Sequence, residues 1–136
     1  MIVGYTAGGA VDIVARAVSQ QLQLSLGQPI VVENRPGAGT NIALRALIDS
    51  PADGYTLMLT ANAIAANMSL YQPPPYDLAR DITPISLVGR VPVVLAVNAQ
   101  SEYKTLGDLI AAAKAKPGSV NYASPGNGST PHLAVE

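Results

Sequence analysis

The sequence contains no cysteine and only one histidine, His132. Disulfides, thiolate catalysis, Cys-ligated metals and a His-rich metal site are therefore all excluded. A chain without cysteine agrees with an oxidising compartment. Charge is also scarce. Charged residues make up 12% of the 136 residues, and eight Lys+Arg against nine Asp+Glu give a net charge of -1. There is thus no basic stripe to neutralise phosphates, which argues against nucleic acid or an anionic membrane surface as partner. The six tyrosines are scattered and form no stacking platform. Apolar runs such as Val91–Val97 fall far short of the roughly 20 residues of a membrane-spanning helix. No basic and apolar leader follows Met1, so a secretory signal is not expected in this sequence. What the chain does have is apolar character, 49% hydrophobic, which excludes a disordered protein and predicts one modest core.

Short β-type runs alternate with helical periods, the pattern of βαβ units around a mainly parallel sheet, so the fold class is α/β. Strands are expected over 1–5, 30–33 and 55–60. Between them, Val11, Val14, Ala15, Val18 and Leu22 recur with helical spacing over 10–26, and Gly27 stops that helix. Asn34–Gly37 reads as a turn, and Thr40 or Asn41 caps a second helix that ends before Pro51. A short helix falls within 61–70, and the Pro73-Pro74-Pro75 run acts as a stiff spacer. Further strands are expected over 85–88, 93–97 and 119–123. Thr105 with Asp108 forms a capping box that opens a helix ended by Pro117-Gly118, and Pro131 begins a last helix.

Two loops leave the end of a strand and enter a helix N-terminus: 5–9, with Thr6, Ala7, Gly8 and Gly9, and 124–130. Glycine lets backbone approach a ligand closely, and the unpaired N–H groups of a first helical turn favour an anion. Neither loop contains Lys or Arg, so a carboxylate or phosphate would be held by neutral donors. These are backbone N–H groups, the hydroxyls of Thr6, Ser124, Ser129 and Thr130, and the Asn127 amide beside Gly128. Asp12, in the first helical turn, can pair with Arg16 and order the glycine loop, or meet an ammonium group of a zwitterionic ligand. The glycines do not fit a dinucleotide fingerprint, and the second loop lacks the lysine of a P-loop. Ser129 and His132 do not stand in a nucleophile-elbow motif and read better as a helix start. An alternative to a binding protein is a small α/β enzyme acting on a phosphorylated or acyl substrate. Another is a truncated, non-functional fragment.

Ile2-Val3 with Ala7-Gly8-Gly9 and Asp12, the segments 27–39, 53–57 and 75–77, then 114–118, 121–124, 126–130 and 132–134, resemble the tripartite tricarboxylate transporter substrate-binding proteins, the Bug or TctC family. The match runs in order through essentially the whole chain. The resemblance implies a periplasmic receptor of the type II periplasmic binding protein class, with two α/β lobes of mainly parallel sheet. Its cleft takes a small mono-, di- or tricarboxylate or amino acid for delivery to membrane transporter subunits, without cofactor or metal. It implies that the loop after the first strand and the loop beginning at Ser124 hold the carboxylate; the Ala61-Asn62 turn after the third strand is expected as a third wall of the cleft. It also implies that residues 1–90 form the first lobe, lacking its C-terminal return, and 91–136 the opening of the second. Family members are roughly twice as long, as two lobes require; the match is to a front half, whose bare sheet edges invite self-association. Gly4-Tyr5-Thr6 stands where the family usually has prolines around the aromatic residue, and the added Thr6 hydroxyl is a means of retuning selectivity.

Overall fold

A computed structural model describes residues 1–124 and 126–136; Pro125, inside the second predicted loop, lies outside the described residues. Three strands, β1 (Ile2–Val3), β2 (Glu33–Asn34) and β3 (Met58–Leu59), form a parallel sheet in the order β2-β1-β3. Ile2 and Val3 face Glu33 and Asn34 on one side and Met58 and Leu59 on the other. The α/β class with a parallel sheet is therefore present. Each ladder is shorter than the β-type run around it, because only residues with a neighbour on the correct side can pair. β2 is also displaced toward Asn34, which the sequence assigns to a turn. The Arg35 N–H donates to the Val3 carbonyl at 2.8 Å and so carries the pairing past Glu33.

Helix α1 (Ala10–Leu26) has the bounds its periodicity predicts. Gly27 closes it in a left-handed conformation (φ 64°), with its N–H on the Gln23 carbonyl. A 3-10 turn (Ala38–Thr40) leads into α2 (Asn41–Ile48). Thr40 stands at the N-cap of α2 but makes no side-chain cap. Capping requires extended backbone, and Thr40 has φ 79°. Helix α3 (Ala63–Leu70) follows β3, and α4 (Leu78–Asp81), not expected from periodicity, is capped by the Asp77 side chain on the Ala79 and Arg80 N–H groups. Val3, Ala15, Ala43, Leu44 and Ala63 form the buried core where α1 and α2 pack on the central strand.

Helix α5 (Leu106–Ala115) opens with the expected reciprocal Thr105–Asp108 capping box. Helix α6 (Thr130–Val135) starts one residue before Pro131, capped by the Ser129 hydroxyl, which accepts from the His132 N–H. The strands expected over 85–88, 93–97 and 119–123 are not formed. Strand conformation is stabilised by neighbours, and no described residue offers these segments a ladder.

Candidate functional site

The first loop joins β1 to α1. At its base there is no room for a side chain on Gly4, where a Cβ would stand 2.8 Å from that of Thr40. The loop is then fixed by Asp12, whose residue is only 2% exposed. One carboxylate oxygen accepts from the Gly8 N–H at 2.8 Å and from Arg16 Nε at 3.0 Å, and the other accepts from Asn34 Nδ2 at 2.9 Å. Asn34 Nδ2 also donates to the Tyr5 carbonyl, and Arg16 Nη2 donates to Asn34 Oδ1. The Arg16 bond, the Gly8 N–H and the Asn34 amide together lower the Asp12 pKa to about 2. Asp12 thus orders the glycine loop, with its oxygens turned to internal donors. Ahead of it, Thr6, Ala7 and Gly8 are exposed. Because the N-cap of α1 is Gly9, no side chain caps the first-turn N–H groups.

The Tyr5 side chain leads to the Ala61-Asn62 turn. Its hydroxyl lies beside Thr60 and Ala61, is buried without a well-formed hydrogen bond, and has its pKa raised by that burial. At the same turn the exposed Asn62 receives the Thr130 hydroxyl on its side-chain oxygen. The second loop is therefore seated against the turn after β3, 68 residues earlier in the chain. Within that loop Ser124 Oγ accepts from the Gly126 N–H, Asn127 is exposed, and Gly128 and Ser129 are buried. The Ser129 hydroxyl is occupied as the α6 cap.

Asn62 and Thr130 thus meet directly, Tyr5 connects the first loop to Ala61, and Asp12 stands behind the loop. Asn34 was absent from the sequence-derived candidates although it holds both Asp12 and the Tyr5 carbonyl. Its only signal was its place next to Glu33 in the segment 27–39. Thr40 and Asn67 were also missed; each is buried with a side-chain oxygen that has no partner among the described residues. Ala38 and Thr40 both have positive φ (47° and 79°). Left-handed backbone costs non-glycine residues roughly 1–2 kcal/mol each, so tertiary packing must hold this turn.

A surface depression of about 590 Å³ lies elsewhere, lined by Arg35, Asn41, Ile42, Arg45, Ala46, Asp49 and Pro75. Its arginines are already paired, Arg35 with Glu33 and Arg45 with Asp49. Among the described residues there is no cluster of three or more His, Asp or Glu able to hold a metal, and no helix is long and apolar enough to cross a membrane.

The model of one family, described as tripartite tricarboxylate transporter family receptor (TctC), matches residues 14–136. Protein BugT of Bordetella pertussis is 45% identical over 138 residues, covering 100% of this chain and 42% of BugT. The solved structure of R. palustris Rpa4515 with adipate superposes with a TM-score of 0.88 at 36% identity, over 98% of this chain and 46% of that one. A second structure, of a periplasmic transporter, gives a TM-score of 0.81 at 33% identity, over 97% and 45% of the two chains. The chain spans about two fifths of the length of the curated relatives it matches.

Proposed function

Since the chain belongs to the tripartite tricarboxylate transporter receptor family, we propose that it serves a periplasmic solute-binding protein as one wall of the cleft that captures a small carboxylate. The loaded receptor passes its ligand to the membrane subunits of a tripartite tricarboxylate-type transporter. The observation that carries this reading is the first loop. Asp12 and Asn34 hold it from behind, while Thr6, Ala7 and Gly8 are exposed and no side chain caps the first-turn N–H groups of α1. Such a surface offers donors and no free carboxylate, so it suits an anion held by neutral groups. The adipate in Rpa4515 supports a linear dicarboxylate as one candidate.

In this reading residues 1–90 form the first lobe and 91–136 open the second. Ala7, Gly8, Gly9, Ala61, Asn62, Ser124, Asn127, Gly128, Ser129 and Thr130 border the ligand. The ligand favours the closed arrangement by its contacts with both loops. In this reading the protein binds without catalysis, and the Ser129 hydroxyl serves as the acceptor that caps α6. Segments without a ladder partner, such as 85–97, are the part most prone to self-association.

The test is a thermal melt of this chain against mono-, di- and tricarboxylates and phosphorylated sugars. A site saturated at 100 times its dissociation constant adds about 2.7 kcal/mol to the folded state. Gly8→Val is expected to abolish that shift while the ligand-free melt remains cooperative. An unchanged carboxylate affinity in this variant overturns the assignment.

A further inference from the structure

Helix α3 presents two amides to the second loop. Asn62, at its N-cap, receives the Thr130 hydroxyl. Asn67, further along, is 0% exposed, and its Nδ2 donates to the Gly39 carbonyl at 2.6 Å and to Asn41 Oδ1 at 3.0 Å. One side chain therefore grips both the left-handed turn and the start of α2. The second loop lies directly on this grip. A Cβ on Gly128 would stand 2.7 Å from Asn67 Oδ1, 3.3 Å from a Leu70 methyl and 3.6 Å from the Gly39 Cα, and a Cβ on Gly39 would stand 3.0 Å from the Asn127 carbonyl. The two glycine segments thus pack closely over the amide, and both glycines have positive φ (79° and 59°), where a side chain is strained.

The amide is a poor choice for stability alone. Its Oδ1 is buried without a hydrogen-bond partner among the described residues, and a buried polar atom left unpaired is costly where an apolar side chain of similar shape is not. Its value is positional. We infer that Asn67 is a positioning residue that seats the second loop on the first α/β unit, by holding Gly39 where Gly128 must dock. Asn67 does not itself face the cleft; it sets the height of the loop bearing Ser129 and Thr130. This inference rests on the proposed carboxylate site for its consequence, and on the packing alone for its geometry.

Hydrogen exchange of the ligand-free chain tests the geometry. Asn67→Ala is expected to speed exchange of the Ser129 N–H, which bonds the Gly126 carbonyl, by about tenfold or more, as for a local opening. The Gly27 N–H at the end of α1 is expected to stay within about twofold, as a separate unit. Gly128→Ala is expected to loosen the same loop from its other side, without truncating a core side chain. The two changes are expected to be partly non-additive, because removing the amide removes the 2.7 Å contact of the new Cβ while the strain of a side chain at the positive φ of Gly128 remains. Unchanged exchange at Ser129 in Asn67→Ala, equal acceleration at Gly27, or simple additivity each overturns the inference. Titration with succinate and citrate then tests the consequence: affinity is expected to fall in step with loop opening. Full affinity despite an open loop overturns the positioning role. Absence of binding by the parent chain overturns the proposed function and leaves the exchange result to decide the geometry.

Discussion

Val3 and Val94 are the same residue in the same kind of apolar run, yet one is 0% and the other 78% exposed. Helices α1 and α5 make a similar pair. α1 begins at Gly9 without a side-chain cap but buries Asp12, Ala15 and Ser19; α5 has a complete capping box and buries nothing. The difference separates two kinds of structural cause. A capping box satisfies its N–H groups within four residues and needs no neighbour. A strand or a helix stripe becomes structure through what packs on it. Residues 1–81 supply one another with partners around β1, whereas the run from Ile85 to Val97 finds no ladder partner among the described residues.

The largest effect that would sharpen this comparison is core truncation. Leu44→Ala, at a 1% exposed site, is expected to cost about 2–5 kcal/mol. Leu87→Ala, at a 74% exposed one, should stay within about 0.5 kcal/mol. Denaturant melts of both variants give the contrast, and equal costs would break it. Gly4→Ala comes next, at about 1–3 kcal/mol, since the added Cβ meets that of Thr40 and overpacks the base of the loop. Thr105→Ala removes a cap worth about 1 kcal/mol. Because α5 buries nothing, that loss should be seen as fraying of α5 by NMR, with the melt of the first unit unchanged. The most gradual effect is with pH. Asp12 titrates near 2 in the folded chain against an ordinary value of 3.8. Its contribution is therefore full above about pH 4 and is lost as pH falls toward 2. Acid titration of the melt should show this slope, and Asp12→Asn should flatten it.

Local chemistry was readable from residues in sequence. The bounds of α1, its Gly27 stop and the Thr105–Asp108 box follow from spacing and side-chain type. What could not be read depends on distant partners. Asn34 looks like a turn residue until Tyr5 and Asp12 come beside it, and Asn67 looks like any polar residue in a short helix until Gly39 and Gly128 close over it. α4 escaped because four residues carry no period, although Asp77 is a legible cap. The strands beyond residue 82 were inferred from composition, which records a preference for pairing and cannot provide the pair. Of the candidate site, the glycine loop and its Asp12 support were legible locally; the Thr130–Asn62 contact, spanning 68 positions, was not.

Capture of a carboxylate by the two glycine loops is what the proposed function stands on. The most direct measurement is a backbone amide NMR titration of this chain with acetate, succinate, adipate and citrate. Saturable shifts are expected for at least one of them at Ala7, Gly8 and Gly9, with smaller ones at Ser129 and Thr130, and no change at Arg45 in the depression it shares with Arg35. Shifts centred on Arg35 and Arg45, or no saturable shift with any of the four, would contradict it.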